Sequence, residues 1–146
     1  MNEPLYGMAV LRLAAAVADH PPLKGADATV EKRSALCGSR VVVTLRFDEN
    51  GRATGAGVQA QACALGQAAA TVLARGIVGR SADEVARVAT GWSGFLAGTV
   101  DDIPAWPDLA LLATGRNYPA RHASLRLAFE AASEAMARAG AASARL

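Results

Sequence analysis

The chain of 146 residues carries two cysteines, Cys37 in "SALCGSR" and Cys63 in "QAQACALGQ". Thiolates are soft donors for metal and sulfur chemistry, so the first question is whether these two act together. Four fates are open: a disulfide, a redox pair, part of a metal site, or two small buried apolar side chains, as free cysteines often are. Their spacing matches neither a zinc-ligand signature nor a CxxC motif. Their surroundings say more. Cys63 stands where a strand runs out and a helix begins, and the free N–H groups and peptide dipoles of a helix N-terminus favour a thiolate. Cys37 precedes Gly38, where a missing Cβ lets the chain bend and a ligand approach.

No other constellation competes. There is no Gly-rich phosphate loop, no HExxH and no GxSxG. His20 precedes Pro21-Pro22 and reads as a solvated helix end, while His122 lies far along the chain. Asp48-Glu49 and Asp101-Asp102 read as turn and loop charges. Trp92 and Trp106 are expected as core or interface anchors.

The elements that must position the thiols follow from periodicity. In "RVVVTLRFD", Val41, Val43, Leu45 and Phe47 alternate with Val42, Thr44, Arg46 and Asp48, the period of a strand with one buried face. "DENG" supplies turn chemistry through Asn50-Gly51. "RATGAGVQAQAC" returns as a Gly/Ala-rich strand with a bulge, and "ATVEKRSALC" precedes as the first of three antiparallel strands. Tyr6, Val10, Leu13 and Val17 line one face of an N-terminal helix that "HPPLKG" ends. After Cys63, "ALGQAAATVLARG" reads as a helix stopping at Gly76. "SADEVARVATGWSGFLAG" opens on a Ser81–Glu84 capping box, and Gly91 and Gly94 weaken its second half. "WPDLALLATG" reads as a short helix, and "YPARHASLRLAFEAASEAMARAG" as a long one with Pro119 in its first turn. Strands first and helices after predict an α+β domain spanning residues 1–146: a three-stranded antiparallel sheet with the N-terminal helix and the C-terminal helices packed on it.

Composition narrows the function. Apolar residues make up 52% and charged residues 19%, with a formal charge of +2, the profile of a folded domain. The only lysines are Lys24 and Lys32, and no basic run interleaved with aromatics suggests nucleic acid or an anionic membrane. "MAVLRLAAAVA" has Glu3 ahead of it and Arg12 within it, which fits neither a signal peptide nor a membrane span. The expected compartment is therefore the reducing cytoplasm, where a structural disulfide is disfavoured.

Four stretches in this order resemble the IscU/SufU/NifU-type iron–sulfur cluster assembly scaffolds. "LYGMAVLRLAAAVADHPPLKG" is similar to the family's first helix and its H-x-N-P-x-x-G stretch. "LCGSRVVVTLRFDENGRATGAGVQAQACALGQAAA" is similar to its C-G-D, hairpin and G-C-A-I-S-x-A-S segment. "GRSADEV" resembles a helix start of the form G-K-[ST]-x-E-E-[AV], and "YPARHASLRLAF" resembles P-x-R-x-K-C-A-x-L-A-W. The long stretch between Cys63 and that last segment is closer to SufU than to IscU.

The resemblance implies three cysteines and an aspartate at one end of the sheet, holding a nascent Fe–S cluster or zinc and receiving sulfur from a cysteine desulfurase. Cys37 and Cys63 match the first two cysteines. Ser39 stands at the aspartate position and Ser124 at the third cysteine. A serine hydroxyl is a poor ligand for iron or zinc, because it must lose a proton of very high pKa. His122 is a further candidate ligand, but a helix begun by Pro119 would turn residues 122 and 124 about 200° apart. Other outside ligands are a small thiol, or Cys37 and Cys63 of a second chain in a homodimer. The resemblance thus implies a non-enzymatic scaffold for iron–sulfur assembly, working with a desulfurase and the assembly machinery. Two alternatives stand beside it: an adaptor that binds a desulfurase without a cluster, and a sulfur-transfer protein whose thiol accepts a persulfide. The "L-P-P-V-K" chaperone stretch of IscU-type members has no counterpart here.

Overall fold

The computed structural model describes residues 7–36 and 38–144. Strand β1 (Ala28–Arg33), β2 (Arg40–Phe47) and β3 (Ala53–Gln61) form an antiparallel sheet in the order β1-β2-β3. The alternation in β2 is what folds it: Val41, Val43 and Leu45 are fully buried on the face that the helices cover. The β2–β3 turn closes through Asp48, whose Oδ1 accepts from the N–H groups of Asn50 and Arg52 at 2.9 Å each. Gly51 takes φ +80° there, a conformation that glycine adopts without steric cost. Arg46 faces Gly55 and Phe47 faces Ala53, so Thr54 is the extra residue of a bulge in β3.

The first strand is shorter than "ATVEKRSALC" suggests. It ends at Arg33, where the hairpin closes: the Ser34 N–H donates to the Ser39 carbonyl in register with the Arg33–Arg40 pair, and the Gly38 N–H closes the turn on the Ser34 carbonyl, both at 2.9 Å. Gly38 adopts φ +71° in that turn.

The opposite face of the sheet is covered by main chain. Thr44 points away from the helices yet is 4% exposed. Its hydroxyl accepts from Leu23 N–H at 2.9 Å and lies 3.2 Å from the Gly57 carbonyl. Pro21, Pro22 and Leu23 cross directly over Gly57, so close that a Cβ on Gly57 would run into the Pro21 carbonyl. The Val58 N–H completes the attachment, donating to His20 O at 2.8 Å.

Helix α1 (Met8–Ala15) tightens into a 3₁₀ turn over Ala16–Asp19. Helix α2 (Ala64–Gly76) buries nearly its whole length, which its run of Ala68, Ala69 and Ala70 permits. Helix α4 (His122–Ala144) lies across β1 and β2, with α2 beside it at β3, α1 outside α2, and α3 (Ala82–Ala97) outside α4. Ser81 caps α3 by accepting from Glu84 N–H at 3.2 Å. Arg52 then takes the Glu84 carboxylate at 3.1 Å, and that bond holds its carboxyl below the usual carboxylate range.

Glycines 91 and 94 do not interrupt α3. The helix runs through both and ends at Gly98, which is left-handed with φ +81°. Pro104 packs where a Gly91 side chain would stand. The stretch read as a short helix over "WPDLALLATG" is a 3₁₀ segment, Leu109–Asn117. It follows Asp108, itself left-handed at φ 65°, and Gly115 lies against the Leu125 side chain too closely for any Cβ. No helix of the described residues is long and apolar enough to cross a membrane.

Candidate functional site

Three chain segments meet at one end of the sheet. Ser39 is the last residue before β2, and Ser124 lies in the first turn of α4. Both are buried, at 4% and 1% exposure, and their hydroxyl oxygens are 3.0 Å apart, within hydrogen-bonding distance. The first turn of α2 closes over Ser124: a Cβ on Gly66 would stand 3.5 Å from Ser124 Cβ. Cys63 is the N-cap residue of that helix, with φ −64° and ψ 171°. Its carbonyl accepts from Gln67 N–H at 3.0 Å, while its side chain makes no capping bond. The thiol is free and half-buried.

The α4 turn that presents Ser124 is fixed from the core. Trp92, fully buried on α3, donates its indole N–H to the Leu125 carbonyl at 2.9 Å. Leu125 is itself fully buried. Ser124 is therefore placed by an anchor that does not depend on the polar atoms it meets.

The predicted donors divide into groups. Cys37 lies outside the described residues. Ser39, Ser124 and the helix start at Cys63 come together. His122 does not join them: α4 is already helical at residue 122, and the ring Nε2 lies 3.0 Å from the Arg116 carbonyl. That ring lines a separate cavity of about 510 Å3 with Leu96, Arg116, Asn117 and Pro119. Among the described residues, no three His, Cys, Asp or Glu side chains are grouped to hold a metal ion. Chemically, the described donors are one soft thiol and two neutral hydroxyls bonded to each other. A mononuclear zinc or a [2Fe–2S] cluster is normally held by four good ligands.

A cavity of about 560 Å3 opens beside Ser39, lined by Arg33, Ser34, Gly38, Ser39, Arg40 and Gln61. Strand register builds it: Arg33 pairs with Arg40 across β1–β2, and Arg40 with Gln61 across β2–β3. Glu31 bonds both arginines, Arg33 Nη2 at 3.1 Å and the Arg40 Nε–H more closely. The Arg40 bond, seconded by Arg33, holds the Glu31 carboxyl below the usual carboxylate range. Leu36, next to Cys37, is 94% exposed. Of these cavity residues the sequence singles out Gly38 and Ser39; Arg33, Arg40 and Gln61 come together only through the register of the strands.

Comparison with protein-family models and with curated proteins finds no match. Among solved structures, the chain is similar to the N-terminal part of a nitrogen-fixing NifU-like protein from Brucella abortus. The two share 31% identity with a TM-score of 0.85, over 94% of this chain and 95% of that one. This chain belongs to the IscU/SufU/NifU family. The family fold recurs in a second neighbour, a SUF-system iron–sulfur cluster assembly scaffold protein from Fervidobacterium islandicum AW-1. That protein is 19% identical with a TM-score of 0.82, over 90% of this chain and 96% of its own. A hypothetical protein solved at 2.3 Å is 22% identical with a TM-score of 0.70, over 88% and 97%. Within the family pattern, Ser39 and Ser124 stand at positions that the resemblance gives to an aspartate and a cysteine, and here they face each other.

Proposed function

We propose that this chain works in iron–sulfur cluster assembly, as a single scaffold-type domain that takes iron or a nascent cluster as cargo through Cys63 and Cys37. The observation that carries the reading is Cys63, a free thiol at the N-cap of α2, at the sheet end where Ser39 and Ser124 meet. A cysteine binds iron through its sulfur as the thiolate. The two serines do not complete the ligand set, since each would have to surrender a hydroxyl proton to serve as a strong donor. The chain thus contributes two thiols, and the remaining ligands come from outside it. A cysteine desulfurase is the proposed sulfur-supplying partner and the cytoplasm the proposed compartment.

One observation favours a second reading. The Ser39–Ser124 pair is buried and neutral, which suits an adaptor that keeps the fold and the partner surface without cargo. Anaerobic native mass spectrometry with and without iron and sulfide separates the two. The scaffold reading expects iron or cluster mass on the wild type, lost in Cys37→Ser and in Cys63→Ser. A wild-type chain that stays metal-free under those conditions rejects it in favour of the adaptor.

A further inference from the structure

We propose that the end of the sheet opposite Cys63 carries a docking site for an acidic segment of a partner protein, with a glutamate of that segment seated on Arg80 and Arg87. The two arginines line one cavity of about 270 Å3, whose apolar wall is Val88, Pro104 and Ala105. Among the described residues, Glu84 is the one carboxylate in that lining. It is already engaged, by Arg52 at 3.1 Å and by the Ser81 hydroxyl at 3.3 Å. Neither Arg80 nor Arg87 has a carboxylate partner among the described residues. Each instead gives its Nε–H to a main-chain carbonyl, of Gly76 at 2.8 Å and of Asp83 at 3.4 Å. Two guanidinium groups thus line one cavity with no carboxylate paired to either.

Arg80 is held ready for such a partner. Its guanidinium lies 4.2 Å from the centre of the Trp106 ring. That ring is buried, and is fixed in turn by its N–H bond to the Val72 carbonyl and by its edge-on contact with Phe129. Gly76 makes the stack possible, because a Cβ there would stand 2.3 Å from Trp106 Nε1. The backbone of Arg80 is pinned as well: its carbonyl accepts from Ala53 N–H at 3.1 Å, and its N–H donates to the Ile77 carbonyl at 3.0 Å. A guanidinium stacked on one face and tied at Nε keeps its two Nη groups as a preset fork, the geometry that pairs with a carboxylate. Little side-chain freedom is left to lose on binding.

Size and lining select the occupant. The cavity is smaller than the about 300–1,000 Å3 of ordinary ligand pockets, and its apolar wall suits the methylene stem behind a glutamate carboxylate. The Glu84 charge in the lining repels a phosphate dianion more than a single carboxylate. Position gives the site its use. Ala53, which bonds Arg80, begins β3, and Cys63 follows the other end of that nine-residue strand, about 30 Å away along extended chain. A partner held by the arginines leaves the thiol end of the sheet open, so the docking site stands whether or not the chain carries cargo.

Titration of the isotope-labelled full-length chain with a short poly-L-glutamate, followed through the arginine Nε–H resonances, tests the site. Saturable binding is expected, with the Arg80 and Arg87 signals moving at one common affinity. Arg80→Gln should weaken that affinity about tenfold. Arg80→Lys should weaken it about as much, because it keeps the charge and loses the fork. Arg87→Gln, an exposed change that leaves the Trp106 stack intact, should weaken it about threefold. Arg121→Gln, just before α4 at the other end of the fold, removes the same charge and should leave affinity unchanged. If Arg80→Gln fails to fold, Arg80→Lys and Arg87→Gln decide. No saturable binding, or unchanged affinity in both of those variants, overturns the proposal. A loss in Arg121→Gln as large as in Arg87→Gln overturns it in favour of diffuse attraction to a polyanion. Free L-glutamate or inorganic phosphate binding as tightly as the peptide overturns it in favour of a small-anion site.

Discussion

Two sets of buried polar side chains, one of indoles and one of hydroxyls, are satisfied in different ways. Trp92 and Trp106 donate their indole N–H groups to main-chain carbonyls, of Leu125 at 2.9 Å and of Val72 at 2.8 Å. Their rings also carry apolar packing, Trp92 stacked on Phe95 at 5.7 Å and Trp106 edge-on to Phe129 at 5.4 Å. Ser39 and Ser124 meet side chain to side chain, from segments 85 residues apart. An indole bonded to backbone cannot be exchanged without leaving that carbonyl short of a donor or opening a cavity. The hydroxyl–hydroxyl contact is separate from the indole bond that anchors α4 at the Leu125 carbonyl. The fold thus separates what positions the sheet end from what chemistry is displayed there.

The comparison breaks first at Trp92. Replacing it with alanine removes a fully buried side chain and should lower unfolding free energy by about 3–5 kcal/mol, read from urea denaturation. A loss as small as that of a surface change would mean that the indole does not anchor α4. The serine pair should respond more mildly. Ser39→Ala and Ser124→Ala should each cost about 1 kcal/mol. The double variant should cost less than the two together, since one hydrogen bond cannot be lost twice. Strict additivity in that cycle would dissolve the pair as a unit.

The smallest effect belongs to the far end of α3, which sharpens the contrast by serving as an exposed reference. Glu84 has its carboxyl lowered, chiefly by the Arg52 bond. A group whose folded pKa is depressed stabilises the fold above its unfolded pKa, and that contribution is lost as pH falls through the folded value. Glu84→Gln should therefore slightly reduce stability at neutral pH and flatten the acid limb of the stability curve. Because the pair is exposed to solvent, the difference should shrink with added salt. An unchanged acid limb would remove Glu84 from the capping account.

Much of this architecture is legible in the residues. Strand β2 is written in its alternating valines, the turn in Asp48 through Gly51, and the start of α3 in Ser81 and Glu84, because each is specified by neighbours in sequence. The 3₁₀ path of Leu109–Asn117 is not, since it depends on Asp108 turning left-handed and on Gly115 meeting Leu125. At the site, Cys63 at a helix start can be read from the chain. Ser39 and Ser124 can be singled out as donor positions only through resemblance, and their meeting is a tertiary fact. The arginine rim is hidden for the same reason: Arg33, Arg40 and Gln61 become neighbours only once the strand register is set.

The crossing of Pro21–Leu23 over Gly57 has a consequence for the order in which the molecule opens. That segment is sewn to the sheet by Leu23 N–H on Thr44 and by Val58 N–H on the His20 carbonyl. It is also the tether that leads out of α1 through its closing 3₁₀ turn. Helix α1 can lift from α2 while its tail stays clasped to the sheet, so its departure is a hinged and recapturable event. Only when the clasp slips does the N-terminal arm become free chain, and the middle of the β2–β3 ribbon is laid bare in the same step.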